Sequence, residues 1–418
     1  MRSRLVPAVI AALCAACIAA PANAQTAADM IRQAQDYQRE GKFTEAVGMA
    51  DQAFQMAEEP ALKAVAKMLI AECHGEQGQY SQAIAAWQEA ERLVPKTPQA
   101  AGAAFAVADA LQKAGQSAQA VQAFELLRRT YAGTPESEDA LIAIGDINQI
   151  LSQFDKAMAS YQEYLRTCPM LPAAAHALAG IGSCHQQQRQ FQAALAAYQR
   201  VVRDYPLSEP VENGSLDMAV GECLGGLGQV GEAVETYRRV ARMRPEMPRV
   251  SDALLAAADV LIRTGDTGGA IGALQQLAER FPNTLLALNA QRRIAQLRAQ
   301  AGDLPGAIRA MRQLDRRFGD TPESFGIKLQ LAEMLAAEGN LEVAAGHLMT
   351  IVETAPRTSL APRAMIGVAQ CYAQGGDLEN AARTLQQVAT TYAGTPYETV
   401  AKETLGRLQE AAGAPRRP

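Results

Sequence analysis

The 418-residue sequence has few aromatic side chains, 5% of the total, and a single tryptophan. No stretch alternates apolar and polar residues with the period of two that a half-buried strand needs, so a sheet has nothing to be built from. Histidine is scarce, at four residues, and no HExxH, P-loop or GxSxG spacing occurs. No block of basic residues is present and the formal net charge is −5, which argues against nucleic acid and anionic membrane surfaces as partners. Acidic residues are plentiful, but none form a convergent pair of the kind acid–base catalysis requires. The sequence therefore supplies no catalytic, cofactor-binding or metal-binding residue, no cofactor is expected, and the chain reads as a non-enzyme.

Alanine is present instead, with charges scattered among apolar residues that make up 49% of the chain. That composition favours helix throughout. The first 24 residues differ. A basic start, "MRSR", precedes the apolar run Leu5–Ala20, and "ANA" at Ala22–Ala24 supplies small residues for cleavage before Gln25. This is the pattern of a secretory leader, too short for a membrane span. Cys17 would be the lipid-bearing residue of a lipoprotein, but the leucine wanted three residues earlier is replaced by Cys14. Removing residues 1–24 takes Arg2 and Arg4 from the 39 basic residues and none of the 44 acidic ones, moving the net charge to −7. A periplasmic location is expected, with lipid anchoring at Cys17 as the alternative.

The rest of the chain is periodic. "GKFTEA", "GQYSQA", "GQVGEA" and "GDLPGA" mark a recurring alanine at Ala46, Ala83, Ala120, Ala157, Ala194, Ala233, Ala270, Ala307, Ala344 and Ala381. The step is 37 residues, except for 39 between Ala194 and Ala233. Twelve residues before each alanine stands another small residue, among them Ala71, Ala108, Gly145, Gly182, Gly221 and Ala258. Four residues after it stands a large one in most copies, such as Trp87, Phe124, Tyr161, Tyr198 and Leu274. Small residues retained at two sites imply helices in close contact, with the large side chain filling the space. Thr-Pro at Thr97, Thr134, Thr321 and Thr395 predicts an N-cap before a proline at the first helical position. Glycines such as Gly41, Gly78 and Gly115 fall where one helix must stop and turn. Each copy is then helix, tight turn, helix.

These residues resemble the tetratricopeptide repeat. In the fifth copy Leu178, Ile181, Gly182, Phe191, Ala194, Tyr198 and Pro206 fall at that family's spacing, although its usual repeat is three residues shorter. The long joints, as in "YAGTPESEDALIAIGDI", are similar to those of periplasmic bacterial envelope members of the family. The resemblance implies an all-α fold, an alpha-alpha superhelix or right-handed solenoid of about ten helix-turn-helix repeats. The expected organisation is a leader at 1–24, an array at 25–395, a capping helix at 396–412 and a tail at 413–418. It also implies a protein-binding scaffold of the cell envelope, in division, constriction or outer-membrane assembly. A periplasmic component of exopolysaccharide export is the alternative.

Two Cys-His pairs, Cys73–His74 and Cys184–His185, raise the question of thiol or metal chemistry. Cys73, Cys184, Cys223 and Cys371 occupy one repeat position, and other copies place Ala110, Ile147, Val260, Leu297 or Met334 there. A site that accepts all of these is a packing site. Adjacent helical residues also point about 100° apart, so Cys and His do not face each other. Disulfides among the four are not expected, the pairing of Cys168 stays open, and His176 and His347 read as isolated surface or groove residues.

By the family resemblance, partners lie against a concave face lined by the first helices. The residue after each small one should line it: Gln35, Glu72, Asp109, Asp146, Ser183, Glu222, Asp259, Gln296, Glu333 and Gln370. None is basic and six are acidic. The column is either a solvated polar face or a groove for basic or amide-rich segments of envelope proteins. Four residues earlier, Phe105, Ile142, Met218, Leu255, Leu329 and Ile366 are either core or partly exposed anchors. The 39-residue step carries "LSEPVENGSLDM", expected to be a longer loop.

Overall fold

A computed structural model describes residues 22–170, 173–242, 249–319 and 321–413. The proposed leader through residue 21, Cys17 included, and the tail from residue 414 lie outside them. Among the described residues the chain is a succession of helices with no strand, and it divides into two compact units, Met1–Gly228 and Gln229–Pro418. In the first unit the pairs are α1 (Ala22–Arg39) with α2 (Phe43–Met56), α3 (Pro60–Glu76) with α4 (Tyr80–Leu93), α5 (Pro98–Lys113) with α6 (Ser117–Thr130), α7 (Pro135–Ile150) with α8 (Phe154–Thr167), and α9 (Ala173–Gln187) with α10 (Phe191–Asp204). The short α11 (Glu209–Glu212) and α12 (Ser215–Gly226) complete it. The second unit opens with α13 (Val230–Ala241). It continues with α14 (Arg249–Arg263) and α15 (Thr267–Arg280), α16 (Leu285–Gln300) and α17 (Leu304–Phe318), α18 (Pro322–Glu338) and α19 (Leu341–Thr354), and α20 (Leu360–Gln374) and α21 (Leu378–Thr391). The unpaired α22 (Pro396–Gly413) ends it. The protein is an all-α solenoid of helix-turn-helix repeats.

The turn inside each repeat follows one recipe. In the second repeat Gly78 takes φ +73°, and the N–H of Gln79 donates to the His74 carbonyl at 2.8 Å, closing α3 in a left-handed cap. Gly41, Gly115, Gly228, Gly265, Gly302, Gly339 and Gly376 adopt the same positive φ. The fourth and fifth repeats put Ser152 (φ 58°) and Arg189 (φ 60°) at this place, where a side chain meets the following carbonyl. Between repeats, the Thr97 and Thr134 hydroxyls accept the N–H of Ala100 and Ser137 at 3.2 Å, and each donates back to the carbonyl that ends the preceding helix. Thr284 caps in the same way without a proline after it. Thr321, expected to be a side-chain cap, makes no such bond. The 39-residue joint holds the four-residue helix α11 and a left-handed Gly214 rather than a plain loop.

The two small positions sit at the helix contact. The ten recurring alanines from Ala46 to Ala381 are at most 1% exposed, and Ala34, Ala71, Ala108, Ala258, Ala295, Ala332 and Ala369 are equally buried. Gly145, Gly182 and Gly221 are buried as well. The large residues opposite, from Trp87 to Leu385, are buried without exception. Where the large residue is Tyr161 or Tyr198, alanine is too big for the facing site. A Cβ at Gly182 would stand 2.5 Å from the Tyr198 ring, and one at Gly145 would overlap Tyr161. Phe124 leaves room for Ala108 and packs edge-on to Phe105, with ring centroids 5.1 Å apart. On the last described helix Gly406, in phase with the small position, faces open space. Ala401, Tyr397 and Leu405 of α22 pack in one cluster with Leu385 and Val388.

Two outcomes are expected. Gly182→Ala should destabilise the array by about 1–3 kcal/mol through overpacking. Tyr198→Leu should relieve much of that loss in the double variant, as read by urea unfolding; additive losses would contradict the contact. Arg189→Gly should leave the fold intact and raise the unfolding midpoint, through a stability gain of at most about 1 kcal/mol, because the left-handed strain exceeds the entropy glycine adds to the unfolded chain. A lowered midpoint would show that the Arg189 side chain does more than tolerate its backbone.

Candidate functional site

The column expected to face a partner follows directly from the helix contact. Its residues come one step after the buried small residue, about 100° around the helix, and so emerge at the edge of the core. Glu72, Asp109 and Asp146 are half-buried, while Glu222, Asp259 and Glu333 are exposed. None of the six acts alone. Gln38 of the first repeat donates to Glu72 at 3.1 Å, and Gln186 of the fifth donates to Glu222 at 2.6 Å. Gln149 bridges in the same direction to Ser183 at 2.7 Å. Other links run backward: His176 contacts Asp146 at 2.9 Å, Arg293 contacts Asp259 at 2.5 Å, and Arg363 contacts Glu333 at 2.6 Å. Asp109 pairs within its own helix, with Lys113 at 2.7 Å. The column is a polar ladder that joins the first helices of several neighbouring repeats inside each unit.

The glutamines of the ladder form a second periodic position, three residues after the column. Gln38, Gln149 and Gln186 occupy one repeat position, which is Gly75 in the second repeat and Gln112 in the third, so the signal is present in the sequence. Tyrosine ties the ladder to the core. The Tyr161 ring is fully buried, yet its hydroxyl donates to Asp146 at 2.6 Å, and the Tyr198 hydroxyl donates to Gln186 at 2.7 Å. Burial drives both phenol pKa values up, so both stay protonated and donate. The hydrogen bond to Asp146 raises the His176 pKa above the ordinary imidazole value, against the opposing effect of burial. His176 is therefore not isolated, as the sequence had suggested, but part of the ladder.

His347 also has company. It lies 3.8 Å from Asp315, whose other oxygen receives Lys328 Nζ at 2.7 Å. Lys328 is one of few buried charges, and it donates a further bond to the Gly319 carbonyl. Burial lowers the His347 pKa, outweighing the attraction of Asp315, so its neutral form is favoured. The apolar column divides: Leu329 and Ile366 are buried, whereas Phe105, Ile142, Met218 and Leu255 are half-buried. In the eighth repeat this place holds Arg292, which donates to Gln330 at 3.0 Å beside Gly326.

The Cys-His pairs separate into two structural roles. Cys73, Cys184 and Cys223 are fully buried, and burial pushes each thiol up to about 11, away from the thiolate that nucleophilic or metal chemistry uses. His74 and His185 turn aside, and their Nδ1 atoms meet the Gln79 and Gln190 side chains at 2.6 and 2.7 Å, latching the turn between the paired helices. Cys371 is also buried, Cys168 is half-buried, and all five cysteines from Cys73 onward are free. Among the described residues no helix is long and apolar enough to cross a membrane.

Family models described as tetratricopeptide repeat match residues 31–101, 68–135, 105–172, 151–209, 224–284 and 292–357, and a second model of that description matches 363–395. No curated protein matches the sequence. Solved structures similar to the chain include the C-terminal part of a TPR repeat-containing protein from Cytophaga hutchinsonii, at 16% identity over 62% of this chain and 98% of that one, with a TM-score of 0.49. PilF of Pseudomonas aeruginosa shares 15% identity over 55% and 96% of the two chains, with a TM-score of 0.40. A tetratricopeptide repeat protein from Parabacteroides merdae shares 17% over 66% and 99%, with a TM-score of 0.37. The likeness to these structures is one of fold alone. With the repeat models matching most of its length, the chain belongs to the tetratricopeptide repeat family.

Proposed function

We propose that the protein is a non-catalytic scaffold of the bacterial cell envelope that holds partner proteins against its first helices, in division, constriction or outer-membrane assembly. The observation that carries this reading is the ladder. Its carboxylates are each held by a neighbouring group, yet Asp259 and Glu333 keep 51% and 52% of their side chains exposed. A carboxylate has about four lone-pair sites, and one bond to a neighbour leaves the others for a ligand. Exposed pairs of this kind contribute only about 0–1 kcal/mol, so a partner can exchange with them at small cost. Basic or amide-rich segments are the matching chemistry. The leader pattern at residues 1–24 supports the envelope location, and its removal before Gln25 is part of the proposal.

In-cell photocrosslinking tests the reading. A photoreactive residue replacing Glu222 should give discrete protein adducts, whereas one replacing Glu235 on the second-helix side, where Glu235 pairs with Arg242, should give none. Combined Asp259→Lys and Glu333→Lys changes should weaken the captured partner's binding at least tenfold while leaving helicity unchanged. Equal adducts at both positions, or binding indifferent to the charge reversal, would remove the first-helix face from consideration. The mass of the exported chain should start at Gln25; a lipid on Cys17 would show anchoring instead.

A further inference from the structure

A second surface lies away from the ladder, between the second helices of the fourth and fifth repeats. It is a cleft of about 470 Å³. Leu178 and Ile181 of α9 form its floor, Leu165 of α8 forms one wall, and Ala193, Ala196 and Ala197 of α10 form the other. On this side α10 carries three alanines, of which Ala193 stands where both preceding second helices have a longer side chain. The preceding second helix, α8, carries Lys156, Ala159 and Ser160 at the same repeat positions, and α6 carries Gln119, Gln122 and Ala123. Leu178 and Ile181 stay buried beneath the gap, while the exposed Ala196 and the half-buried Leu165 and Ala193 form its accessible apolar surface.

The rim is charged with one sign. Arg166 and Arg200 line the cleft from opposite helices, and both are exposed. No carboxylate lines it, although the chain as a whole is acidic, with 44 acidic against 39 basic residues. The nearest counter-charge in contact is Asp204, 3.8 Å from the Arg200 guanidinium and one turn further along α10. The remaining polar lining, Gln162 and His185, is neutral or already engaged, His185 with Gln190. An apolar floor with a few convergent polar groups, in a volume within the usual range of about 300–1,000 Å³, is the form of a binding site. The arginine forks match carboxylates in geometry and charge.

We infer that this cleft binds an acidic segment of a partner protein, seating an apolar side chain between Leu165 and Ala196 while its carboxylates meet Arg166 and Arg200. Residues 1–21 and 414–418 carry Arg2, Arg4, Arg416 and Arg417 and no acid, so the rim would repel them. The surface is distinct from the first-helix ladder in position and opposite to it in charge. The two can be occupied independently, by partners of opposite chemistry.

A random-peptide display library selected on the full chain is the test. The selected peptides should combine two or more Asp or Glu residues with a neighbouring Leu, Phe or Met. A synthetic peptide of the selected sequence, followed by fluorescence anisotropy, should bind at least tenfold more weakly to the Arg166→Glu/Arg200→Glu variant. Ala196→Trp, which fills the cleft from an exposed position, should weaken it as much. Arg203→Glu, on α10 but outside the cleft, should change binding less than twofold. Circular dichroism separates loss of binding from loss of fold, and the Ala196→Trp arm stands by itself if the double variant unfolds. Selection of peptides without acidic residues, or equal binding to the filled cleft, would overturn the inference. A concentration-dependent dimer that Arg166→Glu/Arg200→Glu abolishes would assign the cleft to a second copy of the chain and overturn it too. The Glu222 crosslinking result is unaffected by either outcome.

Discussion

Everything in this array depends on one contact, the approach of a large side chain on the second helix to a residue on the first that has almost no side chain. At Gly182 the Tyr198 ring lies where a Cβ would be, and at Gly145 the Tyr161 ring does the same. A close approach of this kind sets the distance between paired helices. It also sets the rotation of the first helix, because the small residue must point at the ring. Once that residue is fixed inward, its successor is carried about 100° to the edge of the core. The polar column is thus a consequence of packing before it is anything functional.

Packing and surface chemistry meet in the tyrosines. Leucine or methionine at the knob position, as at Leu274 and Met311, fills the space and ends there. Tyr161 and Tyr198 fill it and continue, bringing a hydroxyl out to Asp146 and Gln186. A buried phenol is costly without a hydrogen-bond partner, and for Tyr161 and Tyr198 the partners belong to the ladder. The central repeats therefore join core and surface more tightly than repeats with aliphatic knobs do. In the second unit the corresponding cohesion comes from charge: Lys328, Asp315 and the neighbouring His347 put an ion pair below the surface, where removing either partner would strand the other.

The Cys-His pairs show how one helix position can imitate chemistry. The cysteine fills a core site that Ile147 or Leu297 fills elsewhere, and the next residue, facing another way, reaches the turn and holds Gln79 or Gln190. Neither residue serves the other. The cleft between α8 and α10 shows the reverse. Three alanines with no chemistry of their own leave room between the helices, and Arg166 and Arg200 give the cleft a sign.

Local sequence alone determined the repeat, its turns and its buried positions, because each is enforced within about 37 residues by helix period, left-handed backbone and steric fit. The alanines from Ala46 to Ala381 and the cysteine packing site could be read directly for that reason. Contacts between repeats were not readable in the same way. That Asp259 meets Arg293 while Glu222 meets Gln186 depends on which long side chain the adjacent helix happens to bring within reach, and several spacings serve equally well. His176 looked isolated in sequence because its partner, Asp146, lies 30 residues away on another helix. The cleft is further still from the linear pattern, since its floor, walls and rim come from three helices and its volume is a property of none of them. Tertiary structure decided those features because only the stacking of one repeat on the next brings their atoms together.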